Sequence, residues 1–303
     1  MASLLNLDEF QLERCLNQDI ATDSVALLGT LPVQDGRDLA IVRILKLSSV
    51  ASQEFSTLIN RLEGLNLVES NDIYTWFHGW LARSNAKPDV KIDVIFPATD
   101  VHVRKYSAQS VHMVHESIDL YRKIVKPYVD SFPPKRTQWV RNILDGTSES
   151  EKLIYSDPGY VLLPDMKWDA ETSPLSTLYV VAIAKSVALR SLRDLRGEHI
   201  PLLKDIRRTA RQYVQGKGLA GSAVRMFIHY QPSYYHFHVH VVNANHFGSL
   251  GTIVGQAHLL DDVISLLELD GEIYTKVTLN YGLGDQHALC QPLLEAQLND
   301  DSE

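Results

Sequence analysis

Three histidines alternate in the stretch YYHFHVHVV: His236, His238 and His240, with Phe237, Val239 and Val241 between and after them. Side chains on a β-strand point to opposite faces at period two, so this spacing puts three imidazoles on one face and an apolar set on the other. A fourth imidazole, His229, ends the segment SAVRMFIHY, and Pro232-Ser233 turns the chain between the two segments. A hairpin there brings His229 to the triad. Three chemistries fit the pattern. A polar strand face needs nothing further. His-x-His on a strand can ligate zinc, although no carboxylate lies within six residues of the triad on either side and neither HExxH nor CxxC occurs. The third is phosphoryl chemistry, in which a neutral imidazole attacks phosphorus while its neighbours bind the phosphoryl oxygens. An unperturbed imidazole pKa of ~6.5 leaves that nucleophile neutral at physiological pH.

The elements that must hold this cluster are legible along the chain. The 303 residues, 45% of them hydrophobic, suffice for about two domains. A formal net charge of -8 speaks against a broad basic face for long nucleic acid, so a nucleic-acid ligand is expected to be small. Cys15 and Cys290 show no disulfide or zinc spacing and are expected to be reduced thiols. MASLLNLDEFQLER lacks a basic leader, no apolar run reaches the ~18 residues of a membrane span, and QLNDDSE at the end reads as a solvated tail. The expected compartment is the cytoplasm, with the nucleus as alternative.

DSVALLGTLP and DLAIVRILKL read as strands joined at Asp35-Gly36, a hairpin signal. SQEFSTLINRLEGL has helical spacing, and NDIYTWFHGWL and VKIDVIFPAT read as strands. The run from Asp100 to Phe132 reads as one long helix with the stripe Val111, Val114, Ile118 and Tyr121, broken by FPPKR. EKLIYSD, GYVLLP and LYVVAIAKS read as strands, and GEHIPLLKDIRRTARQYVQG as an amphipathic helix.

HFHVHVV matches the His-φ-His-φ-His-φ-φ signature of the histidine-triad superfamily of nucleotide hydrolases and transferases. Together with LLPDMKW, RSLRDL, EHIPLLKDI, HYQPSYYHFHVH and AHLLDDVI, and more weakly NDIY and FPATDVHVRKY, the chain resembles the scavenger mRNA decapping enzyme family. The resemblance implies an α+β fold. A small N-terminal α+β domain over 1–108 would be exchanged between the chains of a homodimer. A connecting helix or hinge would span 109–136, and a C-terminal histidine-triad catalytic domain with an antiparallel sheet and helices 137–303.

The family's substrates are 7-methylguanosine cap dinucleotides and short capped RNA, with no membrane or long nucleic acid as partner and no metal or cofactor. The resemblance implies that His238 is the nucleophile, forming a covalent nucleotidyl-histidine, with His236 and His240 orienting it and meeting the charge on the phosphoryl oxygens. The methylated base is cationic, and Trp139 is placed to stack on it, a contact of ~1–3 kcal/mol. Met166 would cover its other face. Glu149 would accept from its Watson–Crick edge, with Glu151 as neighbouring alternative, and Asp165 is the second carboxylate. Lys167, His229, Pro232, Ser233 and Tyr234 would reach phosphates or ribose, and Asn71 and Tyr74 of the N-terminal half would touch ligand. Relatives can carry Arg before AHLL, where this chain has Gln256. That cation must come from elsewhere, with Lys105 or a partner chain as candidates. Two rival functions share part of this pattern. A histidine-triad hydrolase of dinucleoside polyphosphates has no use for Trp139 with Glu149, and a non-catalytic cap-binding protein has no use for His238.

Overall fold

The computed structural model describes residues 6–19, 23–46, 62–71, 74–81, 90–166, 168–245 and 252–300. It divides into two compact units, Met1–Ala108 and Gln109–Glu303. In the first, β1 (Gln11–Asp19), β2 (Ser24–Val33), β3 (Gly36–Lys46) and β6 (Val90–Ile95) form an antiparallel sheet in the order β1-β2-β3-β6. The β2–β3 turn closes at Val33 opposite Gly36, whose φ of 141° is open to glycine and strained for other residues. Leu16, Ala26, Leu28, Ile41 and Ala98 are the core of this unit, beside helix α1 (Asp100–Tyr106). β4 (Leu62–Asn71) and β5 (Tyr74–Leu81) make a separate hairpin. The helix expected over SQEFSTLINRLEGL therefore gives way to strand at Leu62, and its earlier residues lie outside the described residues.

The second unit is built on a six-stranded antiparallel sheet. Its strands are β8 (Tyr155–Ser156), β9 (Tyr160–Pro164), β10 (Tyr179–Ala184), β11 (Val224–His229), β12 (His238–Asn243) and β13 (Ala257–Leu259), in the order β13-β11-β12-β10-β9-β8. Period two divides its side chains between two cores. Leu162, Val180, Ala182, Val239 and Val241 belong to the larger cluster. That cluster includes Leu203, Ile206, Ala210 and Val214 of the long helix α3 (Ile200–Gly216) and Val263, Ile264 and Leu267 of α4 (Leu260–Leu269). Val161, Leu163, Val181 and Ile183 form a smaller one with Val140 and Ile143 of α2 (Gln138–Leu144). Helix α2 thus lies on the sheet face opposite to α3, and it carries Trp139.

The single long helix expected from Asp100 to Phe132 is corrected. The chain leaves α1 at Tyr106 and runs as strand β7 (Val111–Glu116), paired antiparallel with β14 (Leu279–Gly284). Only then does it become helical, with a π-helical turn over Tyr121–Val125 between α-helical pieces Ile118–Leu120 and Lys126–Asp130. The proline pair stops it as expected, and Pro134 opens the short turn that leads into α2. The connecting stretch 109–136 accordingly packs inside the second unit, which α5 (Cys290–Asp300) completes.

Candidate active site

β12 begins at His238 and pairs with β10, placing His238 opposite Ile183 and His240 opposite Val181. Both imidazoles therefore face the smaller core, and Val239 and Val241 face the larger one. β11 runs alongside with Phe227 opposite His240, which sets His229 next to the row of His238. The nitrogens of His229, His238 and His240 lie within 4.8 Å of one another. His229 thus lies beside His238 and His240, where the hairpin was expected to bring it. His236 precedes β12, where strand periodicity no longer applies, and its ring turns to the backbone.

That turn has a chemical consequence. Nε2 of His236 lies 2.6 Å from the carbonyl oxygen of Ala184, and Nδ1 of His238 lies 2.8 Å from the carbonyl oxygen of His236. A carbonyl only accepts, so the imidazole carries the proton in each bond. His238 is fixed with Nδ1 protonated and the Nε2 lone pair bare. Burial pushes its pKa down to about 4, against the pull of the His236 carbonyl and with smaller help from His229 and His236. Burial also lowers the pKa of His236. Nδ1 of His240 lies 3.0 Å from the hydroxyl of Tyr179.

Tyr234 stacks on His238, with ring centroids 4.3 Å apart and planes 13° apart. Trp139 meets Tyr234 edge-on at 4.9 Å and keeps 42% of its surface exposed, so a broad indole face is presented beside the histidines. The pKa of Tyr234 is raised, first by burial and then by the charge of Asp165, which acts on Tyr179 as well. Asp165 thus faces this cluster from the end of β9. Glu149, Asp165 and Met166 line one cavity of about 670 Å³. Glu149 and the alternative Glu151 both line it, Glu149 in a left-handed conformation with its carboxylate 3.1 Å from Nζ of Lys152. Met166 is 98% exposed. Trp139 is not among the residues that line this cavity. Lys167 lies outside the described residues. Asn71 and Tyr74 pair across the β4–β5 turn, and Lys105 lies over the ring of Tyr106 on α1, both in the first unit.

The hairpin 230–237 is held from beneath by a group the sequence did not flag. Glu116, at the end of β7, is fully buried beside Arg193, itself fully buried, at 2.8 Å. The Glu116 carboxylate also accepts from the hydroxyls of Tyr230 (2.8 Å) and Tyr281 (2.5 Å) and from Nε2 of Gln231 (3.1 Å). Tyr235 donates to Oε1 of Gln231 at 3.0 Å. Three residues of the hairpin are thereby tied to one carboxylate. Burial raises the pKa of Glu116, opposed by Arg193 and the two phenols.

Two family models cover most of the chain. Scavenger mRNA decapping enzyme C-term binding matches residues 138–253, and scavenger mRNA decapping enzyme (DcpS) N-terminal matches residues 5–109. The m7GpppX diphosphatase of Schizosaccharomyces pombe is 35% identical over 298 residues, 96% of each chain. The chain belongs to the scavenger mRNA decapping enzyme family. The m7GpppX diphosphatase of Homo sapiens is 36% identical over 297 residues, covering 95% of this chain and 86% of that one. That of Sus scrofa is 40% identical over 268 residues, covering 87% and 77%. The triad, the Gln231–Tyr234 turn, Trp139, Glu149 and Asp165 all fall inside the C-terminal match.

Proposed function

We propose that this family member hydrolyses 7-methylguanosine cap dinucleotides and short capped oligonucleotides to 7-methylguanosine monophosphate and a nucleoside diphosphate. The observation that carries the chemistry is the locked tautomer of His238, which holds a bare Nε2 lone pair in a buried, neutral imidazole. In the first step Nε2 attacks the phosphorus bound to 7-methylguanosine. An N–P bond forms and the P–O bond to the bridging oxygen breaks, and that oxygen leaves with the nucleoside diphosphate. The proton on Nδ1 stays shared with the His236 carbonyl, which meets the positive charge that the ring gains. His236 therefore acts by orientation, its own N–H being spent on Ala184. His240 and His229, clustered with His238, meet the charge on the phosphoryl oxygens in this reading. Water then cleaves the N–P bond and releases the monophosphate.

The test is one incubation with a cap dinucleotide and identification of products by mass. 7-Methylguanosine monophosphate plus nucleoside diphosphate is expected. 7-Methylguanosine diphosphate would place the attack at another phosphate, and intact substrate would leave a binding protein.

We further propose that the chain is a homodimer with exchanged N-terminal segments. In support, Leu65, Leu67, Val68, Phe77 and Trp80 of the β4–β5 hairpin are each more than half exposed, apolar surface that water alone covers poorly. Light scattering is expected to return twice the chain mass of 34.1 kDa. A monomer mass at micromolar concentration would refute it.

A further inference from the structure

A second cavity, of about 550 Å³, opens on the other side of the catalytic hairpin. Its walls include Gln231, Pro232 and Ser233 of that hairpin, together with Gln256, Arg136 and His287. Tyr128, Phe132 and Tyr235 supply aromatic surface, packed edge to face on one another at 4.9–6.4 Å.

The two cavities have opposite electrical character. Among the described residues, five carboxylates (Glu149, Glu151, Asp165, Asp169 and Glu171) line the first, against Lys152 and Lys217. Among the described residues no carboxylate lines the second, and Arg136 is its one permanently charged residue. Glu116 touches Gln231 from within the core, but Arg193 compensates its charge. Burial first, and then the charge of Arg136, hold the pKa of His287 below its ordinary value, so it adds no second cation near neutrality.

Arg136 is also prepared for a ligand. Its guanidinium lies 4.7 Å over the face of Phe132, which fixes its plane and leaves its N–H edge available. Elsewhere in the unit Arg190, Arg193, Arg196, Arg207 and Arg211 each face a carboxylate. Among the described residues no carboxylate is paired with Arg136.

Strand order places His238 between the two cavities. Val161, Ile183 and His238 form one row across β9, β10 and β12, and His229 on β11 continues it toward Ala257 on β13. The first cavity lies at the C-terminal end of β9, at Pro164 and Asp165, three residues along the strands from that row, or roughly 10 Å. The second lies the other way, at the turn that precedes His238 and at Gln256, which precedes β13.

A cap dinucleotide has the same polarity, with a cationic base at one end, a reacting phosphate, and an anionic diphosphate carrying a second nucleoside. We infer that the Arg136 cavity holds the leaving half of the substrate, a nucleoside diphosphate, with Arg136 gripping its phosphates and the Ser233 turn beside them. This inference rests on the function proposed above.

Calorimetric titration tests it, with guanosine diphosphate and 7-methylguanosine monophosphate as probes on wild type and Arg136→Gln. Arg136 is exposed, so the variant is expected to fold. Loss of a bidentate charged contact should weaken guanosine diphosphate ~10-fold or more and leave the monophosphate within about 2-fold. Saturating monophosphate should not displace the diphosphate. On the cap dinucleotide KM should rise with kcat little changed. Unchanged diphosphate affinity, equal weakening of both probes, or mutual displacement would overturn the assignment. Failure of the functional reading looks different, because wild type would then leave the dinucleotide intact, whether or not it binds the monophosphate. The diphosphate titration would still decide this cavity.

Discussion

His238→Asn leaves a protein that binds a cap dinucleotide and does not cleave it, with turnover reduced ~10,000-fold or more. The amide nitrogen of asparagine has its lone pair delocalised and cannot attack phosphorus. It can still donate to the His236 carbonyl that now accepts from Nδ1, so the backbone arrangement has a substitute partner. Binding of uncleaved substrate is expected to stay within a few-fold, because Trp139 and the acidic cavity are untouched. Turnover reduced less than ~10-fold would remove His238 from the nucleophile's place.

The same residue sets an acid limit. The folded pKa of His238 is lowered to about 4 by burial, so the charged form is disfavoured and the neutral nucleophile survives as pH falls. Protonation then takes the attacking lone pair. The acid limb of kcat/KM, which reports the free enzyme, is expected near 4; a midpoint at the ordinary imidazole value of ~6.5 would contradict the buried environment.

Glu116→Gln is expected to lower folding stability by about 3–5 kcal/mol, measured by denaturant unfolding. The carboxylate is surrounded only by donors: a guanidinium, two phenols and an amide. A glutamine turns one of its two oxygens into an NH2 group, which faces those donors with a donor. It also leaves the guanidinium of Arg193 fully buried without its counter-charge, against the carbonyls of Glu116, Tyr274 and Val277 and the ring of Tyr121. Tyr281→Phe removes one donor and leaves the ion pair intact, so its cost should be near ~1 kcal/mol. Equal losses from the two variants would mean that the charge at Glu116 contributes nothing specific.

The sheet and its histidine-bearing strand were readable because their patterns are local. Val33 to Gly36, Tyr160–Pro164, Tyr179–Ala184 and the stripe of Ile200–Gly216 each announce themselves within a dozen residues. β7 was not readable. Val114 and Glu116 are its buried positions, and a carboxylate at an inward position breaks the apolar alternation that marks a strand. Its partner β14 lies more than 160 residues away in sequence, as the His115–Asn280 pair shows. Within the site, the sequence named the residues and could not give their hydrogen-bond partners. The hydrogen bonds of His236, to the carbonyl of Ala184 and through its own carbonyl to His238, lie in the bend before β12 and are not a matter of strand periodicity. Sequence also had no way to see that Arg136 shares a cavity with Ser233.

A segment between two strands usually tolerates insertion and deletion, because its length is free. The eight residues from Tyr230 to Phe237 do not have that freedom. Tyr230, Gln231 and Tyr235 are anchored to Glu116 and its neighbours at one end, and the carbonyl of His236 fixes the ring of His238 at the other. One added or lost residue would break an anchor or present a valine or phenylalanine where the imidazole now stands. Length variation in this segment should therefore be absent from any active library of variants, while residues 217–223, between α3 and β11, offer an insertion point on the same sheet.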